Sequence, residues 1–201
     1  MERVSRGRFL SLTAAGGATL VAGGALAGRA LAAPRASGPI ADLDLALARL
    51  LVSAELLGIE FYNQAIASRK FQGAELAYLK HALFNEQEHL KAVSEVLSGA
   101  GQTVSTADDF TFTFPKGMFD SRESIAKFGG ELETVFVQAY LGAVGQLTAP
   151  DLKVTAARIA ANEAQHQSVF SSITSGRPVG VSFPLAVSYD QVSDALDAYI
   201  G

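Results

Sequence analysis

Residues 55–62 read ELLGIEFY and residues 133–140 read ETVFVQAY, so a glutamate twice stands seven residues before a tyrosine. Residues 86–89 (EQEH) and 163–166 (EAQH) repeat a Glu-x-x-His, and the two repeats are offset along the chain by almost the same interval. The order along the chain is Glu55–Tyr62, Glu86–His89, Glu133–Tyr140, Glu163–His166, one half-site written twice. Two such halves can hold a pair of metal ions between four helices.

The spacings have a geometric meaning only in helices. Three helical residues turn about 300° and rise about 4.5 Å, so Glu86 shares a face with His89, and Glu163 with His166. Seven residues complete nearly two turns and climb about 10 Å, which puts Glu55 and Tyr62 on one stripe. With the first and third helices antiparallel, Tyr62 comes level with Glu133 and Tyr140 with Glu55. Each tyrosine can then donate a hydrogen bond to the carboxylate opposite and hold it in place as a ligand.

Apolar residues around these positions recur at helical spacing. A first helix is expected over about residues 40–68, with Ala48, Leu51, Glu55, Gly58 and Tyr62 on one stripe. A second is expected over about 74–97, aligning Leu79, Ala82, Glu86, His89, Val93 and Val96. The third spans about 121–147, with Asp120 and Glu123 as its expected capping box. The fourth begins at Pro150, a favourable first helical residue with Thr148 before it, and runs to about residue 172. The breaks at Gln72-Gly73 and Ala149-Pro150 are short and join antiparallel neighbours. More than twenty residues separate Leu97 from Ser121, long enough for a crossover along the bundle. Within it Phe110, Phe112 and Phe114 alternate with threonines, which reads as extended chain covering the bundle. Gly176, Pro178, Gly180 and Pro184 make the tail irregular before a short closing helix over about 189–200. That helix could pack on the bundle or on another subunit, so a homo-oligomer is compatible with it. The fold class is all-α, a four-helix bundle over residues 40–174 with a tail over 175–201.

Charge supports the metal reading. Four carboxylates on apolar stripes repel one another, and leaving them buried and ionised costs several kcal/mol each. No Lys or Arg lies within one turn of Glu55, Glu86, Glu133 or Glu163 on the same stripe. Two dications would balance the four charges and neutral imidazoles would complete their shells; raised carboxyl pKa values are the alternative. A lone Glu-x-x-His arises readily by chance, but here two of them use two of only three histidines. The expected ligands are Glu55, Glu86, His89, Glu133, Glu163 and His166, with Tyr62 and Tyr140 behind them. His81 lies well off the Glu86 stripe, Glu60 and Glu88 turn away, and Glu131 should face elsewhere, being the competitor of Glu133 if the register shifts.

Residues 1–32 have the pattern of a signal peptide. Arg3, Arg6 and Arg8 precede an Ala/Gly-rich stretch, and Ala30-Leu31-Ala32 is a small-x-small cleavage signal. Ser5-Arg6-Gly7-Arg8-Phe9-Leu10 is twin-arginine-like, with Gly7 where the second arginine would stand, so the twin-arginine and general secretory routes both stay open. Residues 33–39 read as a linker. The mature chain would be periplasmic or extracellular, without a stable membrane anchor. It would keep 12 basic and 19 acidic residues, a formal charge of −7 that argues against nucleic acid and anionic membranes as partners. A hydrophobic fraction of 49% with 18% charged residues is that of a packed globular protein, and the absence of cysteine excludes thiolate metal sites.

These residues resemble the ferritin-like superfamily: bacterioferritin, rubrerythrin and, most of all, exported bacterial ferritin-like domain proteins related to desiccation-associated proteins. The resemblance rests on AELLGIEFYNQA in the first helix and ELETVFVQAYLGA in the third, and covers about residues 40–172. It implies that Glu86 and Glu163 bridge two iron or two manganese ions, with Glu55 and His89 completing one shell and Glu133 and His166 the other. Gln87 stands where the haem-ligand methionine of bacterioferritin would fall, so no haem is expected. A metal pair of this kind takes up two electrons in one event, so the implied chemistry is redox with oxygen or peroxide, with Fe(II) oxidation or peroxide disproportionation as concrete forms. The rival expectation is a structural or stress-protection bundle whose metal stabilises the native state without turnover.

Overall fold

The computed structural model describes residues 39–200. The expected signal peptide and residues 33–38 of the linker lie outside the described residues. Five α-helices follow: α1 (Asp42–Ala67), α2 (Gly73–Gly99), α3 (Arg122–Gln146), α4 (Pro150–Ser175) and a short α5 (Tyr189–Asp197). All five expected helices are present, with ends shifted by at most three residues.

Local chemistry explains several of the ends. The start of α3 is capped one residue later than the sequence suggested. The Ser121 hydroxyl accepts the Ser124 N–H at 3.0 Å, and the Ser124 hydroxyl accepts the Ser121 N–H at 3.2 Å. Asp120 is instead taken into the preceding turn, where its N–H donates to the Gly117 carbonyl. Pro150 is the first residue of α4, and Gly176 ends that helix in the left-handed region at φ 67°. Thr148 does not cap α4. Its hydroxyl and N–H, with the Ala149 N–H, donate to the fully buried carboxylate of Asp44 on α1 at 2.8–3.0 Å. One side chain thereby ties the first turn of the bundle to the turn between α3 and α4.

The helices pair as two hairpins, α1 with α2 and α3 with α4, and α1 packs on α3 to join them. Of the four long helices, α2 and α4 approach each other least among the neighbouring pairs. The crossover over residues 100–121 contains a short 3-10 turn at Ala107–Asp109 and passes beside the chain end, where Phe112 forms an isolated antiparallel bridge with Ile200. Phe110, Phe112 and Phe114 are partly buried against the core, as their alternation suggested. Val192 and Leu196 fix α5 onto α1 and α3, and just beyond it the Tyr199 ring meets Phe128 edge-on at 5.4 Å.

Leu57, Phe61, Leu79, Ile125, Phe136 and Phe170 are among the most deeply buried apolar side chains. Burying each contributes about 1.5–3 kcal/mol. This apolar mass surrounds the mid-levels of all four long helices, where the repeated glutamates lie. No helix among the described residues is long and apolar enough to cross a membrane.

Candidate metal centre

Each long helix delivers its polar residues inward because they sit on its apolar stripe. Glu55 (α1), Glu86 (α2), Glu133 (α3) and Glu163 (α4) are at most 1% exposed. His89 and His166 lie one turn after the α2 and α4 glutamates and point to the same centre. His89 Nδ1 is 2.9 Å from Glu163 Oε1, 3.6 Å from Glu55 Oε2 and 4.0 Å from Glu86 Oε2. His166 Nδ1 is 3.0 Å from Glu86 Oε1, 3.1 Å from Glu163 Oε2 and 3.7 Å from Glu133 Oε1.

The atoms that could hold metal fall into two sets. One comprises Glu55, Glu86, His89 and Glu163, the other Glu86, Glu133, Glu163 and His166, and within each set all four atoms lie within 4.8 Å of one another. Glu86 and Glu163 belong to both, so the two sets share an edge.

The tyrosines complete the geometry. Tyr62 donates to Glu133 Oε1 and Tyr140 to Glu55 Oε1, both across the α1–α3 contact. Each outer carboxylate thus has one oxygen held by a phenol, while its second oxygen, Glu55 Oε2 or Glu133 Oε2, has no hydrogen-bond partner. Glu86 Oε1 and Oε2, Glu163 Oε1 and His89 Nδ1 are equally without one. His89 Nδ1 is close to Glu163, yet it meets no acceptor at hydrogen-bonding angles. It is aimed at the gap between three carboxylates. Native proteins leave few buried polar atoms unpaired, and here six converge on one place. Five are carboxylate oxygens and one an imidazole nitrogen, a donor set that suits hard or borderline divalent cations. The residues therefore fit a pair of metal ions.

With protons as the only counter-charge, the cluster is electrostatically split. Burial pushes the Glu86 carboxyl well above its usual range, and the Glu163 charge adds to this. Burial likewise takes Glu133 up to about 7. On Glu163 burial also acts upward, but the hydrogen bond from His166 and the close positive charge of His89 and His166 overcome it and hold the group at about 2. Burial opposes charge on both imidazoles; the carboxylates outweigh it, raising His89 to about 11 and His166 well above its ordinary value. Protons then do the neutralising that two dications would do with four positive charges.

The remaining polar residues of the sequence reading stand elsewhere. His81 is exposed and stacks on Phe84, with ring centroids 6.2 Å apart. Glu131 is exposed, 4.0 Å from Lys127, and Glu88 is exposed too. Glu60 accepts a hydrogen bond from Gln64 on its own helix.

Three contributors were not expected. The Asn85 amide lies 3.1 Å from His166 Nε2. The amide nitrogen faces the ring; with the amide turned over, its oxygen would accept the Nε2–H and leave Nδ1 free to hold metal. A signal for it was present, because Asn85 and Asn162 precede both Glu-x-x-His pairs. The Tyr78 hydroxyl donates to the His166 carbonyl at 3.2 Å and lies 3.4 Å from the Tyr62 hydroxyl; Thr155 at its repeat position hid it. Gly58 supplies space, since a Cβ there would sit 3.0 Å from both Glu86 Oε2 and the Phe136 ring.

A family model described as a ferritin-like domain matches residues 43–175, the whole of the four-helix region bar its first residue. The chain belongs to the ferritin-like family. This ferritin-like protein is also similar in fold to a solved hypothetical protein, MJ0754, from Methanococcus jannaschii. The TM-score is 0.61 at 15% identity, over 82% of this chain and 97% of the other. Comparison with curated proteins finds no match. The family and the buried cluster together support a ferritin-like bundle with carboxylate and imidazole groups that could hold metal.

Proposed function

We propose that this protein is an exported di-metal carboxylate protein that binds two iron or two manganese ions and reacts with oxygen or peroxide, in its simplest form oxidising Fe(II). The observation that carries the reading is the pair of overlapping four-residue clusters sharing Glu86 and Glu163, with six buried polar atoms unpaired between them. Export is supported by the basic start, the Ala/Gly-rich stretch and the Ala30-Leu31-Ala32 signal.

Glu86 and Glu163, which belong to both clusters, would serve both ions, Glu55 and His89 would hold one, and Glu133 and His166 would hold the other. The ion pair supplies two-electron redox capacity and Lewis acidity when bound. The protein's own side chains do the rest. Tyr62 and Tyr140 each fix one oxygen of an outer carboxylate, so the other oxygen is presented without a search over rotamers. Asn85 sits 3.1 Å from His166 Nε2 and orients the ring. Phe61, Phe136 and Phe170 exclude water around the cluster and keep its electrostatics strong.

The test is to add Fe(II) in air to protein stripped of metal, following oxygen uptake and near-ultraviolet absorbance. Oxygen consumption that tracks two iron ions bound per chain is the expected result. Metal bound without oxygen consumption would replace this reading with a structural role.

A further inference from the structure

The two clusters have the same ligands but not the same surroundings. His166 is 2% exposed and His89 is 9% exposed. Two observations separate the surroundings of the two rings, and a third is the open space between α2 and α4 that both rings share.

The first is the hydrogen bond at the far ring nitrogen. Asn85 of α2 reaches His166 Nε2 at 3.1 Å. Asn162 holds the matching position on α4, one residue before Glu163, yet among the described residues it makes no such hydrogen bond to His89. The second is aromatic cover. The rings of Tyr62 and Tyr78 lie 6.0 and 6.2 Å from the His166 ring, and Phe170 packs on both, at 6.1 and 5.8 Å. Shifted by the repeat, Tyr78 becomes Thr155 and Phe170 becomes Val93. The Thr155 hydroxyl turns back to the Asp151 carbonyl of its own helix. The third is helix separation: α2 and α4, which carry both histidines, make the loosest contact among the neighbouring long helices. At the His166 end Tyr78 and Phe170 pack together, and the repeat positions of the other half carry the smaller Thr155 and Val93.

We propose that the half-site of Glu55 and His89 is the open one, through which metal enters and leaves and small ligands arrive, while the ion of Glu133 and His166 is retained. This rests on the di-metal reading. His89 is the ligand nearer to solvent, because its ring is the more exposed of the two and lacks the partner that Asn85 gives His166. His166 cannot turn toward solvent without breaking the Asn85 bond and displacing Tyr78 and Phe170. Asn85 and Tyr78 are therefore positioning residues that act through His166.

Protein loaded with two Mn(II) ions per chain is mixed with excess EDTA, and release is followed by electron paramagnetic resonance. Two phases of one ion each are expected, the slow one slower by about tenfold or more, the scale at which partners behind a ligand alter metal binding. Crystals soaked briefly in EDTA should keep an anomalous manganese peak beside Glu133 and His166 and lose the one beside Glu55 and His89. Asn85→Ala should speed the slow phase and leave the fast one as it was, and Thr155→Tyr should slow the fast phase. If Thr155→Tyr does not fold, the wild-type phases and Asn85→Ala decide alone. Two ions leaving in a single phase, a residual peak in the His89 half, or an Asn85→Ala variant with wild-type phases would overturn the proposal and leave the di-metal reading standing. Failure to load manganese or iron at all would remove that reading itself.

Discussion

The α1–α2 and α3–α4 hairpins agree at four functional positions and diverge nearly everywhere around them. Two glutamates, a histidine and a tyrosine recur in each, in the same order and almost the same register. The packing positions between them do not recur: Gly58 corresponds to Phe136, Leu51 to Gly129, Phe61 to Ala139 and Val93 to Phe170. The difference separates two kinds of constraint. The clustered carboxylates and imidazoles must each reach one shared point, so each is constrained by its own place on its helix. Packing acts on sums of volume, so a large residue in one half can be offset by a small one near it. The glycines show this directly: Gly58 faces the ring of its own repeat partner Phe136, and Gly129 lies under Phe170. In the other half the positions of Gly129 and Phe170 are filled by two medium residues, Leu51 and Val93.

The largest effect comes from breaking what the halves share. Glu86→Ala combined with Glu163→Ala removes the edge common to both clusters, so elemental analysis should show bound metal falling from two ions per chain to almost none. The helical circular dichroism should persist, because the apolar packing between the four long helices is untouched. Unchanged stoichiometry would mean the ions lie elsewhere.

Next in size is the pH dependence of metal binding. His89, raised to about 11, and His166, raised further, carry protons near neutral pH, and Glu86 is pushed upward as well. Metal must displace those protons, so affinity rises with pH. Below about 7 Glu133 takes a proton too, and the dependence steepens. Calorimetry in buffers of different ionisation enthalpy should register net proton release, with affinity falling at least about tenfold per pH unit lowered. Binding without proton release would show that the imidazoles are already neutral and the carboxylates already ionised.

What was legible in the sequence follows the same division. The helices were readable because each long one carries an apolar stripe along its length, and the cluster because its residues repeat in register. The Tyr62–Glu133 and Tyr140–Glu55 bonds followed from the seven-residue spacing once the helices were taken as antiparallel. Asp44 was not readable, because the N–H groups it caps lie 104 and 105 residues away and no local pattern announces them. The α3 cap offered two adjacent solutions, and the choice of Ser121 over Asp120 was made by the turn in front of it. The unequal cover of the two histidines could be read only after the repeat was aligned and the neighbours of each ring were known.

The smallest predicted effect sharpens the comparison within a single helix. Gly129 and Gly145 both lie in α3. A Cβ at Gly129 would come within 2.6–2.8 Å of the Phe170 ring, which is fully buried and cannot swing away, whereas at Gly145 it would meet nothing within 4 Å. Gly129→Ala should therefore lose about 1–3 kcal/mol to overpacking, only partly offset by the helical preference for alanine. Gly145→Ala keeps the preference without the clash and should gain up to about 1 kcal/mol. Thermal melts of the two variants should move in opposite directions. Phe170→Leu makes room above Gly129 while exposing the His166 side, so in a double-mutant cycle with Gly129→Ala the pair should be less destabilised than the sum of the singles. Simple additivity would mean that Phe170 does not occupy the space glycine leaves, and that the volume exchange between the halves is accommodated by backbone shifts instead.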